Sequence, residues 1–234
     1  MIRRILAFLA LLSAAVLLAP LVTAAPEGGP LPEVAAQYVE GAPSDLGGAN
    51  LVTSVVVTYR GLDTLGEVAV LFAATAGVGL LLGAASGLEG LDGTRRGASE
   101  ILETGGGVLF PLILLLGAYI FLHGHLTPGG GFQGGVVIAT GFLLLLLSDR
   151  TGEFSHAAMT VVESLSGLSY VALGLVGLVR AAGFLDPRFL PAGEFGRLAS
   201  AGAIPVIYSL IGLKVGAELT GILDAMRRRK GGFA

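Results

Sequence analysis

Lys214 and Glu218 lie four residues apart inside an apolar run, a spacing that puts both on one face of a helix. An ionised side chain at the centre of a membrane helix costs about 2.5–3.5 kcal/mol on insertion scales, so such residues face other helices or a hydrated path. Two readings stand for this pair: a step in a proton or cation path, or a mutually neutralising ion pair that locks packing. Gly212 and Gly216 beside it form a small-xxx-small pair that admits a partner helix. Glu163 opens a second stripe, with Ser166, Gly167, Tyr170, Gly174 and Gly177 on the same side at helical spacing. That stripe reads either as a helix–helix seam or as part of an ion path. Asp63 and Glu67 open another apolar segment. Asp63 or Thr64 fits a helix N-cap, and a carboxylate in the first turn is favoured by the helix dipole. Glu67, one turn deeper, exceeds what capping requires and is a candidate for handling a proton or cation.

The run His123-Gly124-His125-Leu126-Thr127-Pro128-Gly129-Gly130-Gly131-Phe132-Gln133-Gly134-Gly135 joins two apolar segments. Pro128 stops a helix, and the three glycines after it can take backbone angles closed to other residues. Gly131 and Gly135 fit close packing at the start of the next helix. The two histidines, two residues apart, do not share a helical face and make a weak metal site. No Gly-Lys-Ser/Thr follows, so the run is not a phosphate loop. An intramembrane serine protease is a poor fit. Ser164-Leu165-Ser166-Gly167 lacks the first Gly of its motif, and no histidine lies in a later helix.

The elements that carry these residues follow from the apolar pattern. A bilayer core of about 30 Å needs about 20 mostly apolar residues in a helix. Six segments fit: Ile5–Leu21, Leu65–Gly87, Gly106–Leu122, Phe132–Leu147, Ala157–Ala181 and Ala201–Ala225. The fourth is short and is expected to begin in the Gly-rich turn before it. The first, with Arg3-Arg4 ahead and Val22-Thr23-Ala24-Ala25 after, also fits a cleaved signal peptide. A retained helix is expected because its apolar run is long. Pro26–Gly48 reads as an outer loop with a short surface helix around Pro32–Tyr38. Leu88–Glu103, with Arg95-Arg96, is the main internal boundary, and Asp186–Gly196 reads as an ordered outer loop. With the N-terminus inside, nine Lys and Arg fall in inner segments (Arg3, Arg4, Arg95, Arg96, Arg150 and Arg227 to Lys230) and four in outer ones (Arg60, Arg180, Arg188, Arg197). That asymmetry predicts both termini in the cytoplasm.

Composition sets the class. Of 234 residues, 53% are hydrophobic and 13% charged, with mean hydropathy +0.83. Soluble domains carry about 25% charged residues. The expected fold is all-α, a polytopic transmembrane bundle of about six helices. A net charge of −3 without a basic face excludes a nucleic-acid partner, and the absence of Cys excludes disulfides, thiolate metal sites and iron–sulfur ligation. No metal or other cofactor is expected.

The Pro-Gly-Gly-Gly-Phe-x-Gly-Gly run after Gly124-His125, with its apolar helix, resembles the MrpB (MnhB) family, the B-type component of Mrp-type multisubunit Na+/H+ antiporters. The likeness extends over about Glu100–Arg229 and includes Gly212-Leu213-Lys214-Val215-Gly216. Asn50-Leu51-Val52 through Tyr59-Arg60-Gly61-Leu62-Asp63-Thr64-Leu65-Gly66-Glu67 is similar to a two-helix module. That module ends the large MrpA component of those antiporters and forms a separate E-type component in membrane-bound hydrogenases. The chain thus reads as a fusion, residues 1–95 being the two-helix module and 96–234 a four-helix B-type domain. The resemblance implies a non-enzymatic subunit of a cation/proton antiporter in the cell membrane, exchanging Na+ for H+ and working only with other subunits and lipid. The same module in the membrane arm of a hydrogenase or related redox-driven pump is the alternative, and a purely structural subunit is a third.

Overall fold

The computed structural model describes residues 2–23, 29–84, 98–148 and 155–231. Ala24 and Ala25, Arg95 and Arg96 with the expected domain boundary, and Arg150 lie outside them. The described residues are mostly helical and contain no strand. In order they form α1 (Ile2–Thr23), α2 (Glu33–Leu46), α3 (Leu51–Ser54), a π-helical turn (Val55–Tyr59), α4 (Gly61–Ala84), α5 (Glu100–Leu122), α6 (Gly131–Ser148), α7 (His156–Arg180), a 3-10 turn (Pro187–Phe189) and α8 (Ile204–Gly231). Among the described residues five helices are long and apolar enough to cross a membrane: α4, α5, α6, α7 and α8. The apolar run of α1, Arg4–Pro20, is shorter. The chain divides into two units, Met1–Ala36 and Gln37–Ala234. In the first, α1 is a helix of apolar residues with Pro20 near its end.

In the second unit α8 is central and packs against α4, α5, α6 and α7. Ile204, Ile207, Tyr208, Ile211 and Val215 of α8 share one buried cluster with Leu46, Val57, Tyr170 and Leu185. Glycines set the helix separations. A Cβ on Gly134 would stand 2.6 Å from the Gly117 carbonyl of α5, and one on Gly135 2.8 Å from the Gly212 carbonyl of α8. Side chains there would force the helices apart. Local signals fix the starts: the Ser99 hydroxyl accepts from Leu102 N–H (3.3 Å) ahead of α5, and Ser155 accepts from Ala158 N–H (3.2 Å) ahead of α7.

Two boundaries and one backbone angle differ from the sequence expectation. The surface helix near Pro32–Tyr38 runs on to Leu46 through Gly41 and Pro43, because Ala42 and Leu46 are buried and Tyr38 stacks on Tyr59 at 4.8 Å. Packing there outweighs helix propensity. The second span begins at Gly61, so neither Asp63 nor Thr64 is its cap. Asp63 instead pairs with Arg60 (2.5 Å), and the Thr64 hydroxyl donates to the Val56 carbonyl (2.5 Å) across the π-turn. Among the Pro128 glycines, Gly129 alone takes a positive φ, at 152°.

The expectation of an ordered loop at Asp186–Gly196 is met by a tightly bonded segment. The Asp186 carboxylate accepts from Ala182 N–H (3.1 Å), Arg188 N–H (3.0 Å) and the Arg188 guanidinium (2.5 Å). Leu185 and Ala201, both buried, hold φ of 61°. Left-handed backbone is uncommon for non-glycine residues.

Candidate functional site

Three spans place charged residues where α4, α7 and α8 meet or approach. Lys214 Nζ donates to Glu218 Oε1, as the four-residue spacing requires. Glu218 is fully buried, and its Oε2 has no hydrogen-bond partner. Lys214 is buried too. Its ammonium stands 5.5 Å from the centroid of the Phe72 ring on α4, within cation–π range. Its stem lies over Gly167 of α7, where a Cβ would be 3.2 Å from Lys214 Cε. Glycine at 167 therefore gives the lysine its channel between helices. Glu163, one turn from Gly167 and half-buried, lies within electrostatic reach of Glu218.

The rest of the stripe on α7 resolves into separate jobs. Ser166 and Tyr170 are buried. Gly174 is covered by the Phe184 ring, and Gly177 by the backbone of Gly183 and Asp186. Glu67 of α4 is exposed on this chain. It lies within electrostatic reach of Tyr170 and Tyr208. Asp63, one turn before it, is paired with Arg60. Further along α8, Thr220 donates to the Gly216 carbonyl (2.7 Å) and Asp224 is buried.

The motif joining α5 and α6 is a clasp. Asn50 caps α3 by accepting from Val52 N–H (3.1 Å) and Thr53 N–H (3.4 Å). Its amide donates to the Gly124 and Thr127 carbonyls, both at 2.9 Å, while its backbone N–H donates to the His125 carbonyl (2.9 Å). Thr53 adds a hydroxyl bond to the Gly124 carbonyl (2.5 Å), and Tyr208 donates to the Thr53 hydroxyl (3.2 Å). His125 is fully buried and its Nε2 lies 3.2 Å from the Arg197 carbonyl. Burial, with His123 nearby, holds its imidazole below the usual histidine range against the opposing bond to Arg197. Nε2 must donate to that carbonyl, so His125 is a neutral structural tie with Nδ1 unpartnered. His123 stacks on Tyr119 (4.1 Å) and its Nδ1 donates to the Tyr119 carbonyl (3.1 Å). Asp186 nearby is pushed up by burial but pulled down further by Arg188 and two backbone N–H groups, so it stays ionised.

Pro128 lies in the bend before α6, and Gly130 and Gly131 approach Tyr208 and Ile211, where a Cβ would stand 3.0 and 2.6 Å from the nearest atoms. Phe132 packs against the central cluster. The motif thus holds helices and loop together. Among the described residues there is no group of three or more His, Cys, Asp or Glu fit to hold a metal. Asn50, Thr53, Phe72 and Tyr208 belong to the site or its clasp without a local sequence signal. Their partners lie 71 to 155 residues away where a bond is made.

Comparison with known proteins sets this geometry in context. A family profile described as a domain related to the MnhB subunit of Na+/H+ antiporter matches residues 101–221, and the MbhE profile, for the E-type component of MBH, matches residues 3–84. A probable K(+)/H(+) antiporter A/B protein of Rhizobium meliloti is 34% identical over 52% of the chain, the match spanning only 14% of that protein. The fold is similar to a chain of the membrane-bound sulfane sulfur reductase, an archaeal respiratory membrane complex. There the TM-score is 0.76 and the identity 43%, over 97% of this chain and 98% of the other. It is similar also to a chain of the Mrp complex from Dietzia sp., with TM-score 0.73 and 27% identity, over 96% of this chain and 26% of that one.

Proposed function

The chain belongs to the family of the domain related to the MnhB subunit of Na+/H+ antiporters, and from that premise we propose that it is a small, non-enzymatic subunit of a multisubunit cation/proton antiporter. It is a multi-pass membrane protein. In this reading it sits in the cell membrane, exchanges Na+ for H+ together with partner subunits, and supplies part of the ion path. The observation that carries it is the Lys214–Glu218 pair. Two ionisable groups are buried at mid-helix, with one carboxylate oxygen unpartnered and Glu163 in reach. Glu67 supplies the connection outward. An exposed carboxylate facing hydrocarbon is costly, so a helix of a partner subunit or a hydrated path must cover it. Asp63, held by Arg60, serves the start of α4 and is a weaker candidate than Glu67. The expected division into residues 1–95 and 96–234 is kept as a proposal, supported by the two profile matches on either side of it.

Glu67→Gln tests the reading because it keeps size and hydrogen bonding while removing the titratable group. The variant complex is expected to assemble at normal levels and to lose Na+-dependent proton exchange in membrane vesicles. Wild-type exchange at wild-type complex levels would remove Glu67 from the path. A second reading rests on the sulfane sulfur reductase chain, which matches this one over nearly its whole length. There the same helices would serve a redox-driven pump. The subunits that co-purify with the tagged chain in mild detergent separate the two.

A further inference from the structure

We propose that the Tyr170 hydroxyl is a proton relay between Glu67 and the Lys214–Glu218 pair, an inference that rests on the ion-path reading above. Tyr170 is fully buried, yet its hydroxyl has no hydrogen-bond partner among the side chains and backbone around it. A buried Tyr normally finds one. Tyr208 makes the contrast, because its hydroxyl is engaged by Thr53 at 3.2 Å. Both tyrosines lie in electrostatic reach of Glu67, so of the two only Tyr170 has a free hydroxyl to offer it.

Position along the helices supports the same assignment. On α7 Tyr170 follows Gly167, which seats the Lys214 stem, and Gly167 follows Glu163, which lies in reach of Glu218. On α8 the corresponding order is Ile211, Lys214, Glu218, and Tyr170 shares the buried cluster with Ile207, Ile211 and Val215. On α4, Glu67 lies five residues, or about 7.5 Å of helix rise, before Phe72, which faces the Lys214 ammonium. Tyr170 therefore occupies the level between the two charged groups. A phenol there passes protons without a net change: its O–H proton leaves toward one side as its oxygen accepts a proton from the other, and rotation of the hydroxyl resets it. The relay requires water to bridge Tyr170 to Glu67 and to the pair, the usual partner of a buried polar group that the protein leaves unbonded.

Tyr170→Phe separates relay from packing, because the hydroxyl it removes makes no bond in the protein. A structural role predicts unchanged or higher thermal stability of the assembled complex and unchanged exchange. The relay predicts the same stability with cation-driven proton exchange per assembled complex lowered at least about tenfold, a modest share of what a proton-transfer group commonly contributes. Tyr170→His, which restores a group able to take and give a proton, is expected to recover part of the rate with a new dependence on pH. Wild-type exchange in Tyr170→Phe, or equal loss in both variants, overturns the relay. If Glu67→Gln loses exchange while Tyr170→Phe keeps it, the relay fails and the ion-path reading stands. If neither loses exchange, both fail.

Discussion

A buried ion pair is weak evidence of stability. Desolvation of both charges offsets much of their attraction, and a matched apolar pair can be as stable or more so, whereas removing one partner strands the other at a cost of about 3–5 kcal/mol. Lys214 and Glu218 meet that description, each buried and each the other's ionic partner. Lys214→Met alone is therefore expected to lower the yield of assembled complex, measured by co-purification of the partner subunits. The combined Lys214→Met and Glu218→Leu variant should restore assembly and still lack exchange. A double variant with full exchange would assign the pair to packing alone. The pair is legible in the sequence because four-residue spacing in a helix dictates contact. The nearness of Glu163 to Glu218 and of Glu67 to Tyr170 is not, since it depends on how three helices dock. No spacing within one segment encodes that.

Helices that meet through glycine are sensitive to any side chain at the crossing. A Cβ on Gly131 would lie 2.6 Å from Ile211 Cβ and 2.7 Å from the Tyr208 carbonyl, contacts with a helix rather than with a flexible chain end. Gly131→Leu is expected to destabilise by about 1–3 kcal/mol or more, as overpacking does, and to reduce the assembled complex seen on a native gel. Normal assembly would mean that α6 and α8 separate without consequence. Gly129 is a different case. Its φ of 152° strains any other residue, and a Cβ there would also crowd Ile120 at 3.2 Å. Sequence reasoning reaches the right glycines and expects close packing at Gly131, but it allows all three after Pro128 unusual backbone angles, where Gly129 alone takes one and Gly130 serves close approach. The apolar runs are legible as spans because burial in lipid demands length and composition alone. The π-turn and the Asn50 tie to the loop are not, because the Thr64–Val56 bond bridges eight residues and the Asn50 amide reaches the Gly124 and Thr127 carbonyls.

At the scale of the molecule, two segments similar to separate families are joined end to end, and the second is tied to the first by more than the chain. Asn50 and Thr53 precede α4, yet their bonds run to the loop between α5 and α6, and the same loop is tied to Arg197 through His125. Segments 50–60, 123–130 and 181–203 thus gather at one end of the second unit. In a bilayer that end faces one side as a block, which makes topology a single choice for the whole assembly. The nine-to-four distribution of Lys and Arg in alternate connections predicts this end outside and the C-terminal cluster in the cytoplasm. The protein contains no cysteine, so single introduced thiols report without background. Glu194→Cys, exposed in the gathered loops, is expected to react with a membrane-impermeant maleimide in intact cells. Lys230→Cys is expected to react only after the membrane is opened or inverted. Labelling of residue 230 from outside together with protection of residue 194 would reverse the orientation. The direction of any proton step from Glu67 through Tyr170 to Glu218 would reverse with it, since those residues lie in that order from the gathered end along α4, α7 and α8.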